Sequence, residues 1–286
     1  MKKSRSILSS LIRWELVGKS NKRLIKLFDK FLSRLNRPED CQEIFYALID
    51  LGPKKFGIIV SKLRDKLSNK LRNLSVDRLK VLLLYMSQTC LECLRIFLEK
   101  FRREISQLLE KTHFNDIVIL ALNISLLNEE AGIIFIRELR DTLRKLALSE
   151  GFNHFGTVLW YMATMKQVML AKHFIDITID IITNKSETIV EIGDFLYWLS
   201  RGNDELGLYA FNAIKNRLSQ LLEKATIHQI AQFLVIISKH DKISKKIAEE
   251  LLPSIRGRLK RPVEVSKLLS LLEFFHVDTE ILNLKF

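Results

Sequence analysis

The sequence predicts an all-α protein made of repeated helix pairs, and three observations support that prediction. Residues that end matching apolar segments recur at nearly constant intervals of about 38 residues. Within each segment the apolar positions follow the i, i+3, i+4, i+7 spacing of one helix face. Only 10 Gly and 4 Pro occur among 286 residues, which leaves little material for the tight turns of a β protein.

The recurring end residues, or anchors, are Ser87, Ser125, Ala163, Ser200, Ser238 and His276. Eight residues before the anchors lies an apolar column of Leu79, Ile117, Phe155, Ile192, Ile230 and Leu268. Four before them lies a second column of Leu83, Ala121, Leu159, Leu196, Leu234 and Leu272. The two columns predict a short amphipathic helix that ends near each anchor.

A polar turn and a helix of about 20 residues should follow each anchor. The expected turns include Asn128-Glu129-Glu130 and Arg201-Gly202-Asn203-Asp204. The inward column of the long helices is Phe101, Leu139, Ile177, Ile214 and Leu252. Gly132 and Gly207 occupy one equivalent position, which indicates a close helix approach.

The first quarter of the chain predicts the same layout with slightly shorter units. Its expected helices are Ser6–Val17, Asn21–Leu35, Cys41–Leu51 and a long basic helix Lys54–Leu74. Pro38 suits a first helical turn, and Gly52-Pro53 suits a tight turn. Ser75, Thr188 and Thr226 stand where N-caps would accept backbone N–H groups.

At the other end of the chain, proline residues set the expected boundaries. The last long helix, Lys242–Arg261, should kink at Pro253 and stop before Pro262. A closing helix Val263–Val277 follows, and the tail Asp278–Phe286 is expected to cover the last apolar face.

Helix pairs of this kind bury their apolar faces only against their neighbours. We therefore expect a right-handed α–α superhelix, a solenoid of about seven helix pairs plus a closing helix. The predicted organisation is one helical-repeat domain over residues 1–286. It comprises basic repeats at 1–75, regular repeats of about 38 residues at 76–262, and a capping helix with its tail at 263–286.

Over residues 41–277 this pattern resembles the α-solenoid families, meaning the tetratricopeptide, pentatricopeptide and HEAT-like repeats. A unit of this length is most similar to longer relatives such as the octotricopeptide repeat. The likeness is architectural, because the tetratricopeptide signature W-x2-L-G-x2-Y is absent. The segment Leu218–Ser238, LSQLLEKATIHQIAQFLVIIS, is also similar to helical arrays that follow the NTPase module of some STAND-type proteins. That likeness implies a sensor or adaptor role.

The formal net charge of +13 is concentrated in the first quarter of the chain. Residues 1–75 hold 18 Lys/Arg against 7 Asp/Glu, whereas residues 76–226 hold 18 against 19. The expected basic patch consists of Lys19, Lys22, Arg23, Lys26, Lys30, Lys54, Lys55, Lys62, Arg64, Lys66, Lys70 and Arg72. Such a patch attracts phosphate or an acidic protein surface, unless it is only a solvated helix face.

A second candidate binding surface is a polar column nine residues before the anchors, free in residue identity. Its members are Arg78, Asp116, His154, Glu191, Gln229 and Lys267. Beside it, an aromatic column of Tyr85, Tyr161, Trp198 and Phe274 is expected to line the core or a groove, with a base-stacking platform as the alternative.

Catalytic, cofactor and metal sites are not expected. Gly18-Lys19-Ser20 matches the end of a phosphate-binding loop, but Arg13 stands where that motif needs its first glycine. Cys90 and Cys93 form a C-x-x-C pair, for which core packing is expected and a metal or redox role is the alternative. The six histidines lie singly. Three cysteines in a long chain favour a reducing, cytoplasmic setting, and no apolar run is long enough for a membrane span.

Two functional hypotheses follow. The first is a non-catalytic scaffold or adaptor that binds a protein partner along its groove and docks an acidic partner at the basic N-terminal patch. The second is an RNA- or DNA-binding repeat protein that uses the same basic helices, although one-base-per-repeat readers usually carry charge along the whole array. A weaker third possibility makes Ser6–Val17 a membrane-surface helix.

Overall fold

The computed structural model describes residues 20–34, 38–150, 155–239 and 241–277. The expected helix Ser6–Val17, the tail Asp278–Phe286, Lys19 and His154 lie outside these residues. Within them every regular element is a helix, sixteen in number, and no strand occurs. The predicted all-α class is confirmed, whereas the superhelix stays a prediction.

The chain forms two compact units, Met1–Leu146 and Ala147–Phe286. The helices that begin in the first unit are α1 Asn21–Arg34, α2 Pro38–Asp50, α3 Pro53–Lys62, α4 Arg64–Arg72, α5 Val76–Thr89, α6 Leu91–Leu109, α7 Phe114–Leu127, α8 Glu129–Glu138 and α9 Arg140–Glu150. The short helices α2, α5 and α7 pack in succession, and so do α1, the α3/α4 pair, α6 and α8. This unit therefore has a short-helix layer and a long-helix layer.

The second unit repeats the two-layer arrangement. Its helices are α10 Phe155–Thr164, α11 Val168–Lys185, α12 Ile189–Gly202, α13 Asp204–Lys224, α14 Ile227–Ser238, α15 Asp241–Arg258 and α16 Pro262–Phe274. Here α10, α12, α14 and α16 pack in succession, as do α11, α13 and α15. The alternation of short and long helices is compatible with a helical repeat.

The three predicted N-caps are confirmed. The Ser75, Thr188 and Thr226 side chains accept the N–H groups of Arg78, Glu191 and Gln229. These contacts satisfy N–H groups that a helix start leaves without an intrahelical partner.

In three pairs the expected polar turn between the short and the long helix is too long, because one residue, Cys90, Asn128 or Asn203, separates the two helices. Between α10 and α11 the connection is longer, residues 165–167. Glu129 and Glu130 belong to the first turn of α8, and Arg201 and Gly202 to the end of α12. A single residue suffices because its side chain caps the next helix: Asn128 and Asn203 accept from Ala131 N–H and Leu206 N–H at 3.0 and 3.1 Å.

The long helices of the first unit are interrupted where the sequence predicted continuity. The expected helix Lys54–Leu74 breaks at Leu63 into α3 and α4. The expected long helix that follows α7 breaks at Leu139 into α8 and α9. Phe101 inside α6 has non-helical angles, φ −117° and ψ 20°. These three positions are equivalent in successive repeats, and none of them is Pro or Gly.

The helix boundaries near the C-terminus differ from the predicted ones by a few residues. Helix α15 continues through Pro253 and ends at Arg258, three residues earlier than expected. Pro262 does not merely stop a helix, because it is the first residue of α16.

The core follows the predicted columns. Leu79, Ile117, Ile192, Ile230 and Leu268 of the first apolar column are buried, and so is every member of the second. The anchors are small because the next helix approaches them: a Cβ built on Gly132 would lie 2.5 Å from Ser125 Cβ, and one on Gly207 would collide with the Ser200 side chain. The last copy departs from the pattern, since Phe275 and His276 are exposed.

Across the described residues, no helix combines the length and apolarity that crossing a membrane requires.

Candidate partner-binding surface

The predicted basic patch lies on helices that pack together. Helix α1 contacts both α3 and α4 and buries Leu24, Phe28 and Leu32. This packing leaves the lysines of the opposite face of α1 exposed, and two lysines of α3 are exposed as well. We define the basic surface as Lys22, Lys26, Lys30, Lys54 and Lys62. Arg23 is exposed beside it.

Carboxylates are scarce on these helices. Asp29 and Asp65 are the acidic residues of α1, α3 and α4. Asp29 Oδ1 lies 2.5 Å from Lys66 Nζ, and Asp65 Oδ1 lies 3.7 Å from an Arg64 nitrogen. Among the described residues, no carboxylate pairs with a lysine of the basic surface. Five exposed ammonium groups therefore keep their charge available to an external anion.

Two arginines of the predicted patch point instead to a buried carboxylate. Glu104 of α6 is 1% exposed, and its Oε1 accepts a 2.5 Å hydrogen bond from Ser68 Oγ. Guanidinium nitrogens of Arg64 and Arg72 lie 3.8 and 3.7 Å from the same oxygen. Arg64 Nε also donates to Lys100 O at 3.2 Å. These arginines join α4 to α6, which sequence reasoning missed.

The surroundings of Glu104 favour its charged form. Burial by itself raises the pKa of this carboxyl, but the Ser68 hydrogen bond and the charges of Arg64 and Arg72 outweigh burial and lower the pKa below its ordinary value. The group is thus an ionised cross-link between neighbouring long helices.

The remaining members of the patch are less accessible. Lys55 and Lys70 are half-buried, whereas Lys66 and Arg72 are exposed but engaged as described. Burial raises the pKa of the Cys41 thiol to about 12, against the opposing charge of Lys70.

Four members of the polar column lie in the first turns of short helices, and two of their side chains take part in capping. The backbone N–H of Arg78 donates to Ser75, and Gln229 completes a capping box with Thr226. Glu191 Oε2 accepts from Glu187 N–H at 3.0 Å. Asp116 also lies in a first helical turn, half-buried, whereas Lys267 is exposed within α16. Side-chain capping thus accounts for Glu191 and Gln229, whereas the contact of Arg78 uses only its backbone.

The aromatic column forms part of a larger cluster in the second unit. The rings of Trp160 and Trp198 have centroids 5.8 Å apart, and Tyr197 lies 5.6 Å from Trp198. Arg201 stands 5.5 Å over Trp198, and Lys239 stands 5.8 Å over Tyr197. The adjacent pairs Trp160-Tyr161 and Tyr197-Trp198, one repeat apart, are a sequence signal that the single-column prediction overlooked.

Elsewhere in the column the aromatic residues have different surroundings. Tyr85 packs on Tyr46 of the preceding short helix with centroids 4.6 Å apart. Tyr161 and Phe274 are exposed by 50% and 74%. The column is therefore neither wholly core nor one continuous platform.

Cys90 and Cys93 form a disulfide, so the pair is more than two small side chains in the core. Within the described ranges, no group of three or more His, Cys, Asp or Glu is placed to hold a metal ion. A cleft of about 1020 Å³ at the C-terminal end is lined by Glu223, Pro253, Ser254, Gly257, Arg258, Lys260, Arg261 and Glu264. Its buried Glu264 is already paired with Arg261 at 2.9 Å.

Comparison of the chain with family models, with curated proteins and with solved structures gave no match.

Proposed function

We propose that this protein is a non-catalytic helical-repeat scaffold, of the right-handed α–α type of the tetratricopeptide and HEAT-like repeats, which binds an acidic protein partner. The observation that carries the proposal is the basic surface: five exposed lysines on two packed helices, with both carboxylates of the neighbourhood engaged elsewhere. Exposed charge of one sign attracts the opposite charge and steers association. The polar column supplies a second contact in this proposal.

The composition of the surface favours protein over nucleic acid. Proteins that bind single strands place aromatic rings beside their cations for base stacking. Here the aromatic side chains of α1 and α3 are buried or half-buried, and α4 has none. Arg64 and Arg72, which could grip phosphate with two nitrogens, face Glu104 instead. A lysine ammonium group is a compact point charge without a fixed planar geometry, so it can pair with carboxylates in several arrangements.

The test measures binding of three labelled probes by fluorescence anisotropy: a polyglutamate peptide, a single-stranded RNA and a duplex DNA. The salt concentration is raised from about 50 to 200 mM, a range over which charge-driven binding weakens steeply. The test variant is Lys26→Glu with Lys62→Glu. The matched control is Lys245→Glu with Lys246→Glu, two exposed lysines of α15.

We expect the polyglutamate peptide to bind the wild-type protein and the control variant equally, and to lose at least tenfold in affinity on the test variant. Tighter binding of RNA or DNA, lost in the same variant, would replace the protein partner by the nucleic-acid alternative. No binding of any probe at low salt, or equal loss in both variants, would overturn the role of the basic surface.

A further inference from the structure

Cys90 stands at a position where two other helix pairs have asparagine, which is a better capping residue. Each of Cys90, Asn128 and Asn203 lies three residues after an anchor and joins a short helix to a long one. Cys90 Sγ accepts the N–H of Cys93 at 3.2 Å, as the two asparagine side chains accept from their own helices. Sulfur is a weak acceptor, so helix capping alone does not account for a cysteine here.

The second cysteine also replaces a plain core residue. Cys93 is fully buried, and its equivalents Ala131 and Leu206 are buried apolar side chains. The Cα atoms of Cys90 and Cys93 are 5.2 Å apart, and their sulfurs are bonded. Cα atoms at this separation can be bridged without moving the backbone. Cys90 and Cys93 therefore both differ from the residues at the equivalent positions, and together they form one dithiol.

The site has an outer and an inner sulfur. Cys90 is half-buried and stands at the N-terminus of the 19-residue helix α6, whereas Cys93 has no exposed surface. A helix N-terminus stabilises a thiolate through its unpaired N–H groups. Glu92, the acidic residue between the two cysteines in sequence, lies 3.6 Å from Arg95, which offsets its charge. Cys90 is thus the thiol that an external disulfide can reach.

Cys41 provides an internal comparison. Burial raises the pKa of its thiol to about 12, so it stays protonated at neutral pH. It has no disulfide partner among the described residues. Position and surroundings, and not cysteine content alone, distinguish the pair at the start of α6.

We infer that Cys90 and Cys93 form a thiol–disulfide exchange site whose substrate is a small disulfide of the glutathione class. In the oxidising direction, Cys90 thiolate attacks one sulfur of glutathione disulfide, forms a mixed disulfide and releases one glutathione thiolate, which takes up the Cys90 proton. The Cys93 thiol then gives up its proton, and its thiolate attacks the Cys90 sulfur and releases the second glutathione as a thiolate, which takes up that proton. Two protein thiols are oxidised to one disulfide, and one glutathione disulfide is reduced to two thiols.

The experiment uses the full chain, reduced and then equilibrated in buffers of increasing oxidised-to-reduced glutathione ratio. Acid quenching, maleimide labelling and peptide mass spectrometry report each cysteine separately. We expect Cys90 and Cys93 to lose their labels together, at one midpoint, while Cys41 stays labelled. Persistence of both thiols in oxidised glutathione alone would overturn the site.

Single variants test the order of the two sulfurs. In Cys93→Ser, Cys90 should form a stable glutathione adduct at least tenfold faster than Cys41. In Cys90→Ser, the buried Cys93 should form almost none. Equal adduct rates in the two variants would overturn the assignment of Cys90 as the attacking thiol. Circular dichroism checks that both variants fold, and the wild-type titration stands without them.

Discussion

The long helices of the two units differ at one equivalent position. Residues Leu63, Phe101 and Leu139 of the first unit have φ between −104° and −117° and ψ near 20°, and each interrupts its helix. The equivalents in the second unit, Ile177 and Ile214, lie inside the unbroken helices α11 and α13. The same repeat thus supports a bent and a straight long helix.

The difference shows how arginine residues connect successive long helices. At a bend, carbonyl groups lose their regular partners, and Arg64 donates to Lys100 O just before the bend at Phe101. In the second unit the arginines serve helix ends: Arg217 donates to Thr183 O at 2.9 Å and Arg258 to Ala225 O at 3.0 Å. In both units an arginine of one repeat bonds a carbonyl of its neighbour.

The buried polar side chains differ as well. Glu104 in the first unit bonds across helices, whereas Thr178 in the second, fully buried, donates to Phe174 O of its own helix at 2.7 Å. These two buried side chains thus use different partners, because Glu104 bonds another helix and Thr178 bonds its own.

Glu104→Ala should produce the largest loss. The substitution removes the acceptor of the Ser68 hydroxyl and the ion-pair partner of the Arg64 and Arg72 guanidinium groups. It should therefore lower the free energy of unfolding by about 2–4 kcal/mol. Thr178→Ala should cost less than about 1 kcal/mol, because alanine is the better helix former. Urea denaturation followed by circular dichroism measures both. Equal losses would contradict the proposed contrast between the units.

Two Gly→Ala substitutions, one in each unit, should have the next largest effects on the free energy of unfolding. At Gly132 the new Cβ would lie 2.9 Å from the Ser125 Cα, a backbone atom, whereas at Gly207 the main obstacle is the Ser200 side chain. We expect losses of about 2–3 kcal/mol for Gly132→Ala and about 1 kcal/mol for Gly207→Ala. Gly257→Ala, with nothing within 4 Å, is the control and should not destabilise. Hydrogen exchange measured by peptide should confine each loss to its own unit.

Removing an arginine contact should lower the free energy of unfolding by less than Gly132→Ala does. Arg64→Ala removes donors to both Lys100 O and Glu104 and should cost about 1.5–2 kcal/mol, whereas Arg217→Ala removes one carbonyl contact and should cost about 1 kcal/mol. Thermal unfolding compares the two. A larger loss for Arg217→Ala would show that the helix-end contact is the stronger one.

Acid should weaken residues 38–146 of the first unit more than residues 155–239 of the second, which do not include Glu264, another carboxyl whose pKa its arginine partners lower. Because the folded pKa of Glu104 lies below its ordinary value, its stabilisation is fully present above that ordinary value and is lost as the pH falls through the folded pKa. Hydrogen exchange at neutral pH and at about pH 3 should show a greater loss of protection in residues 38–146 than in residues 155–239. Glu104→Gln should reduce this difference, and an unchanged difference would assign it to other carboxyls.

Exposed ion pairs should have the smallest effects. Lys66→Ala breaks the pair with Asp29 and should cost at most about 0.5 kcal/mol, with a dependence on salt. Lys172 is less exposed, pairs with Glu205 and stands 5.5 Å over Tyr209, so Lys172→Ala should cost about 1 kcal/mol. Denaturation at low and high salt distinguishes the two. Equal, salt-independent losses would exclude screening as the cause.

Much of the fold could be predicted because its signals are local. The apolar columns, the caps at Ser75, Thr188 and Thr226, and the close approach at Gly207 each depend on residue types at short spacing. The bends could not be predicted from Pro or Gly. An arginine directly follows each bend, at Arg64, Arg102 and Arg140, but the spacing alone does not show that Arg64 bonds a carbonyl of the neighbouring helix.

The basic surface, like the fold, could be predicted from the sequence only in part. The count of lysines and arginines indicated a basic first quarter, but not which cations remain available. Arg64 and Arg72 are engaged by Glu104, and Lys66 by Asp29, from positions far away in sequence. Charge counting treats all twelve cations alike because it contains no information about partners on another helix.

By itself, then, the sequence determined the all-α class, the regular spacing of its apolar segments and the location of excess positive charge, because helix periodicity and composition are properties of the chain alone. Only the tertiary structure decided where the long helices bend, which lysines form the basic surface and which two cysteines join. Those outcomes depend on side chains that meet only when one helix packs on the next.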